Sequence, residues 1–313
     1  MTVDVLSVGR ISVDLYAMEP HKSFAEQQSF RKSVGGSPTN VAVAAARLGH
    51  HAVLATKVGD DDFGHYVTNR LAEMGVDTEF IGRVAGEPTP LAFAALTPPE
   101  TPTIMFYRGA SAPDTQLDPS DVPASTVAEA TVLWISQGSL AQGSTAETCV
   151  EWMTLRGANQ HTVLDLDYRP SLWSSVDEAR DMAQRAISLA STVVGNAEEC
   201  EVALGVSDPD AAADALLEAG VRLAVIKLGA GGALLASAEE RIRVQPTPID
   251  VVCGLGAGDA FGGALCHGLI EGLSLEEIGS LANAAGAHVA GQLTCSDAMP
   301  TLSELHSALS DSA

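Results

Sequence analysis

Short apolar runs alternate along this chain with segments whose apolar residues recur every three or four positions. Residues 3–8, 52–58, 131–136, 162–167, 192–194 and 223–228 read as strands. Between them lie helix-period segments. Val41, Ala45 and Leu48 share one face, opened by Ser37 as N-cap with Pro38 at the first helical position and closed by Gly49. Phe63, Val67 and Leu71 mark a second helix ending at Gly75, and Phe261, Leu265 and Leu269 a third, at i, i+4, i+8. Strands alternating with helices predict an α/β fold with a doubly wound, mainly parallel sheet flanked by helices. Two stretches break the rhythm. Residues 17–33 are polar and join the first strand to the first helix; residues 86–109 alternate around a proline-rich turn and predict a β-hairpin. Together they predict a small β-sheet lid over an α/β core of residues 1–16, 34–85 and 110–313.

Composition narrows the partners. A chain of 313 residues that is 46% hydrophobic can bury one large core, and no apolar run reaches membrane-spanning length. The start, MTVDVLSVGR, is acidic and strand-like, without the basic and apolar stretches of a signal peptide, so the cytoplasm is the expected location. The net charge of −23 argues against nucleic acid or an anionic membrane as partner. In so acidic a chain the few cations near a pocket must act locally, which singles out Arg108, Arg169 and Lys227. Five cysteines without CxxC spacing indicate neither a disulfide framework nor a zinc site; the histidines show no metal-ligand spacing, and the adjacent His50 and His51 are expected at the surface.

The chemistry-bearing candidates are glycine loops beside carboxylates and amides. The string VVCGLGAGDAFGGALCHGL (residues 251–269) brings Asp259 to a helix N-terminus, where free N–H groups and the positive dipole end favour anions. Asp259 is there either the cap of its helix or a base next to an anion. Gly35-Gly36-x-x-x-Asn40 opens another helix. Asn196-x-x-Glu199 follows a strand and offers a carboxylate suited to magnesium, with Glu198 an equal alternative on spacing alone. Lys227-x-Gly229-x-x-Gly232 follows another strand and suits a polyphosphate. Residues 282–287, ANAAGA, form a small-residue helix that a flat ring could approach. There is no GxxxxGK[ST] and no first-strand GxGxxG.

In this order and spacing, GG(x)3N, NxxE, KxGxxG and GAGDAF resemble the ribokinase (PfkB) carbohydrate kinase family over nearly the whole chain. The resemblance implies ATP and magnesium as cofactors and phosphorylation of a sugar hydroxyl. It implies Asp259 as the base, with Gly256, Ala257 and Gly258 offering N–H groups to the transferring phosphoryl group. It places Asp14, Gly35, Gly36 and Asn40 at the sugar, Glu199 at the metal, and Asn196, Lys227, Gly229, Gly232 and Asn283 along the nucleotide. Cys253 stands where many members carry an aspartate tied to a monovalent cation, a departure that puts potassium activation in doubt. Arg108 and Arg169 fall at positions the family uses near the substrate. Because arginine pairs bidentately with carboxylates, they point to a sugar acid. Within the family, GRISVDLY, VGGSPTNVA, LDLDYRP and GLGAGDAFGGALCHGL most resemble members that act on 5-dehydro-2-deoxygluconate, ahead of those for 2-keto-3-deoxygluconate and then fructose. Surface salt bridging is the competing explanation of both arginines. The lid sheet could also pair two copies into a homodimer.

Overall fold

The computed structural model describes residues 2–19, 21–156 and 161–311; the core limits at residues 1 and 313 lie outside the described residues. Strand β1 (Val5–Val8) leads into β2 (Ser12–Ala17) and β3 (Phe30–Gly35), and helix α1 (Ser37–Arg47) follows. Next come β4 (Ala52–Gly59), α2 (Asp62–Glu73), β5 (Ile81–Val84), β6 (Leu91–Ala94) and β7 (Ile104–Tyr107). A short α3 (Ala124–Glu129) precedes β8 (Val132–Ser136), α4 (Gly143–Arg156), β9 (His161–Asp165) and α5 (Val176–Ile187). Then follow β10 (Thr192–Asn196), α6 (Ala197–Leu204), α7 (Pro209–Glu218), β11 (Leu223–Lys227), β12 (Ala233–Ala236) and β13 (Arg241–Val244). Helices α8 (Ala257–Glu271), α9 (Leu275–Ala290) and α10 (Leu302–Asp311) end the described chain.

Nine strands form one sheet in the order β13-β12-β11-β10-β9-β8-β1-β4-β5, with β12 alone running against its neighbours. Every residue of β1 and β8 is buried, as expected of parallel strands covered on both faces. Helices α1, α8 and α9 cover one face through residues such as Val41, Leu265 and Ala284. Helices α4 to α7 cover the other through Trp152, Met153, Ala183 and Leu216. Each large side chain so buried contributes about 1.5–3 kcal/mol relative to exposure. Strand β1 lies between β4 and β8, so the winding reverses there, and open α/β sheets bind ligands outside the carboxyl ends of strands at such a point. No helix among the described residues is long and apolar enough to cross a membrane.

The second sheet has four strands in the order β3-β2-β6-β7. The hairpin expected from residues 86–109 is present as the antiparallel pair β6–β7. The other half of the sheet starts earlier than expected. Gly9, at a φ of 127°, ends β1, and the chain then pairs Ser12 with Gly35 and Asp14 with Ser33. Residues 12–16 and 34–35, assigned from sequence to the core unit, therefore belong to the small sheet, and Asp14 stands in β2 and not at the end of the first strand.

Two helix starts also differ from expectation. Gly36 caps α1 with a φ of 104°, a conformation that L side chains rarely adopt, and a Cβ there would lie 2.3 Å from the Arg10 carbonyl oxygen. Ser37 is thus the first helical residue, and no side chain caps the helix. In α2, Val67 and Leu71 are buried but Phe63 is exposed, because Gly64 takes the inward position against the Gly59 carbonyl, with Asp61 capping its N–H.

Candidate active site

The carboxyl ends of the parallel strands deliver most of the polar groups. Arg10 follows β1, Asp165 ends β9 with Asp167 and Arg169 just beyond, and Lys227 ends β11. Facing them from the small sheet are Asp14 on β2 and Arg108 after β7. One cleft is lined by Arg10, Asp14, Gly36, Asn40, Arg108, Arg169, Gly256 and Asp259, with Pro90, Ile104, Phe106 and Leu255 as its apolar walls. The Gly254 N–H donates to the Pro99 carbonyl at 2.7 Å, so the loop joining β6 to β7 rests on the residues that lead into α8.

Asp259 lies in the first turn of α8. Gly256 precedes that turn in the left-handed region, φ 81°, and no side chain caps the helix, so its first N–H groups are left for another acceptor. A Cβ at Gly256 would meet the Cys295 sulfur at 2.6 Å, which makes glycine obligatory twice over. The Asn40 amide donates to Asp259 Oδ2 at 2.7 Å, and Ser296 in turn donates to Asn40 Oδ1 at 2.6 Å. Asp259 is therefore held by a partner 219 residues away in the chain and does not close its own helix. Burial and the Asp167 charge push its carboxyl above the ordinary carboxylate range, and Asn40, Ser37 and Arg169 moderate the rise.

Asp14 accepts a hydrogen bond from the Ser12 hydroxyl at 2.7 Å. Burial pushes its carboxyl up to about 6, against the pull of that bond and of Arg10, while Asp259 adds to the rise. Gly35 leaves its room, since a Cβ there would fall 2.0 Å from the carboxylate. Asp14 and Asp259 are thus two acids of raised basicity in one cleft, suited to accepting bonds and a proton from hydroxyl groups.

Three guanidinium groups face these acids. Arg10 and Arg169 share Asp167, at 3.0 and 2.7 Å, and Arg108 pairs with the fully buried Asp114 at 2.7 Å. Burial would raise Asp167, but Arg169 and Arg10 outweigh it and hold the carboxyl below its ordinary range. Arg108 is fixed on one edge only: its Nε is buried without a hydrogen-bond partner, a costly arrangement unless an anion supplies one. Arg10 and Arg108 are therefore built into the cleft wall, whereas Arg169, whose side chain is 41% exposed, lines the cleft from its solvent side and keeps the character of a surface ion pair.

Towards α6 the groups are arranged differently. Asn196 caps α6, accepting from the Glu199 N–H at 2.9 Å, while Glu199 accepts from the Asn196 N–H at 2.7 Å. The NxxE spacing is thus a capping box, and it turns Glu199 inward and leaves Glu198 exposed. The Lys227 ammonium sits 3.3 Å from Asp165 and 3.5 Å from Glu199. Burial opposes the lysine charge, yet the two carboxylates prevail and keep it protonated; burial in turn pushes Asp165 up. The ammonium lies 3.6 Å from where a Cβ of Gly258 would stand, which joins this cluster to the start of α8.

Of the remaining candidates, Ala257 and Gly258 open α8, while Gly229 and Gly232 shape the turn between β11 and β12. Asn283 donates to the Gln245 carbonyl at 3.0 Å, tying α9 to the chain after β13. Gly35, Asn196, Glu199, Lys227, Gly229, Gly232, Ala257, Gly258 and Asn283 do not line the cleft. The small residues around Asn283 serve packing: Ala282, Ala284 and Ala285 are buried in the core. Sequence reasoning missed Arg10, Asp114 and Asp165. Arg10 lies just after the first strand and Asp165 is the last residue of β9, both at strand carboxyl ends, where α/β folds place ligand contacts.

Residues 3–302 match the model of the pfkB family carbohydrate kinase. The 5-dehydro-2-deoxygluconokinase of Shouchella clausii is 34% identical over 308 residues, covering 96% of this chain and 94% of its own. That of Clostridium perfringens is 30% identical, covering 96% and 90%. Among solved structures, a ribokinase-type protein of E. coli in complex with ATP and Mg2+ superposes with a TM-score of 0.91 at 25% identity, over 99% of both chains. A fructokinase of Vibrio cholerae bound to fructose, ADP and calcium gives 0.85 at 25% identity, over 98% and 99%. The chain belongs to the PfkB family of carbohydrate kinases.

Proposed function

We propose that this kinase phosphorylates the terminal hydroxyl of a sugar acid, 5-dehydro-2-deoxygluconate, with ATP as donor and magnesium as cofactor. The observation that carries the reading is Asp259 in the uncapped first turn of α8, held by Asn40 beside a cleft walled by Arg10, Arg108 and Arg169. In this reading Asp14 and Asn40 orient the sugar hydroxyls, and Asp259 takes the proton of the attacking one. The N–H groups of Gly256, Ala257 and Gly258, with the Lys227 ammonium beside them, stabilise charge on the group in transfer. The Arg108 guanidinium, clamped by Asp114 and with one donor unpaired, receives the sugar carboxylate together with Arg169. The small sheet that supplies Asp14 and Arg108 acts as the lid.

The donor set beside Lys227 suits magnesium, because Glu199 and Asp165 offer only carboxylate oxygens, which a hard cation prefers. Glu199, with Asp165, would hold the ion, which supplies charge neutralisation at the phosphates. Asn196 keeps Glu199 turned to that position, and Gly229, Gly232 and Asn283 border the nucleotide. The reading needs no potassium: burial raises the Cys253 thiol, so it stays neutral and does not replace a carboxylate ligand. The test is magnesium-dependent ATP turnover against 5-dehydro-2-deoxygluconate, 2-keto-3-deoxygluconate, fructose and ribose. Preference for the first is expected. Preference for fructose or ribose removes the carboxylate reading of the arginines, and ATP binding without turnover of any sugar on a wider panel removes the catalytic one.

A further inference from the structure

Helices α1 and α8 lie side by side, and their N-termini meet at the cleft through Asn40 and Asp259. Their opposite ends also converge. His50, just past the end of α1, places Nε2 2.8 Å from Nδ1 of His267, two turns of α8 beyond the cleft. Glu271 stands one turn further along, and ligand atoms of the three side chains lie within 4.8 Å of one another. Among the described residues no other three His, Cys, Asp or Glu side chains come so close. The surface location expected for His50 does not hold. It is half-buried, His267 is 7% exposed, and Glu271 lies open to solvent, which gives a largely enclosed donor pair with an entry side.

We propose that His50, His267 and Glu271 form a second metal site, remote from the active site, that takes a first-row divalent transition metal such as Zn2+. Two imidazoles and one carboxylate with an open fourth position are a zinc donor set. Tetrahedral bonds of about 2.05 Å place ligand atoms about 3.3 Å apart, so the two ring nitrogens must part by about half an ångström and both rings must turn from facing each other to facing the ion. Both imidazoles are held neutral by burial, the form that binds metal. Two helix C-termini meet there, and their partial negative charges favour a cation as strongly as the N-termini of the same helices favour an anion. Loading the site would clamp the far ends of the helix pair whose near ends hold Asn40 against Asp259.

Co2+ is the probe, added to chelator-treated enzyme in excess Mg2+ so that oxygen-rich sites are filled. One equivalent with a visible absorption band of nitrogen ligation is expected, displaced by Zn2+. Glu271→Gln, which changes an exposed side chain, should weaken binding at least about tenfold, and His50→Gln at least about 100-fold, because losing a ligand costs no less than losing its outer-shell partner. Zn2+ should also raise the Tm of the parent and not that of His50→Gln, while basal kinase activity stays the same in both. Equal Co2+ affinity in the parent and in His50→Gln, or no binding by the parent at millimolar Co2+, would overturn the proposal.

Discussion

The candidate site has two parts that are built by different means: the cleft under the small sheet, and a charged cluster beside α6 that adjoins the start of α8 outside the cleft lining. Under the small sheet, Arg10 reaches Asp167 across 157 residues of sequence and Asn40 reaches Asp259 across 219. Beside α6, Asn196 and Glu199 satisfy each other within one helical turn. The helix starts repeat the contrast: α1 and α8 begin at glycines without side-chain caps, whereas α6 begins with a complete capping box. An uncapped N-terminus keeps its N–H groups for an outside acceptor; a boxed one has spent them on its own fold. The first part is thus poised for a ligand, and the second is a rigid mount for one carboxylate.

The strongest way to break that contrast is at Asp259. Asp259→Asn keeps an acceptor for the Asn40 amide but removes the carboxylate proposed as the base; on that proposal kcat should fall by roughly 10²–10⁴ while ATP still binds. Isothermal titration with ATP and a turnover assay separate the two. Retained turnover would show that the long-range clamp on Asp259 serves the fold alone. Next in size is Arg108→Gln. Losing a charged bond costs about 1.5–3 kcal/mol, so KM for a sugar acid should rise roughly 10- to 100-fold, with little change for a neutral sugar. An equal rise for both would mean that Arg108 matters only as the partner of buried Asp114.

These contrasts also explain what could be read from the sequence. The alternation of strands and helices, the hairpin and the GAGD turn were legible because each rests on local periodicity or backbone geometry. NxxE was legible for the same reason, yet its spacing marks a cap as much as a ligand. Arg10 and Asp165 were legible only as strand-end positions: their partners Asp167 and Lys227 are set by how β1, β9 and β11 come together, whereas Asp114 pairs locally with Arg108, six residues back, in a turn that carries no periodic pattern. The exposed Phe63 and the capping Gly36 were missed because contacts with Gly59 and Arg10 decide them. His50 and His267 lie 217 residues apart and carry no spacing signal at all.

Acidity sharpens the comparison at a smaller scale. Burial pushes the Asp14 carboxyl from its ordinary 3.8 up to about 6, so in its proposed role at the sugar hydroxyls it acts as a carboxylate above about pH 6. The sugar KM should climb about tenfold per pH unit below that. Stability moves the other way. Between 3.8 and about 6 the folded state holds a proton that the unfolded state has released, so this group favours folding as pH falls through 6 and the benefit is lost as pH rises. Asp14→Asn should flatten both dependences. A sugar KM with the same pH profile in that variant would move the titration elsewhere.

The smallest expected effect lies in the cluster beside α6. Asn196→Ala removes the acceptor of the Glu199 N–H and should cost about 1 kcal/mol, seen as a lower denaturation midpoint. Glu199 would keep its place near Lys227, since the 3.5 Å ion pair survives. The sugar KM and the preference among sugars should therefore stay unchanged, and only the ATP KM should drift upward as the carboxylate loosens. Should sugar preference shift instead, the capping box would be coupled through Lys227, Asp165 and Gly258 to the start of α8. The two parts of the site would then be one construction, with the local motif setting the geometry of the distant charges.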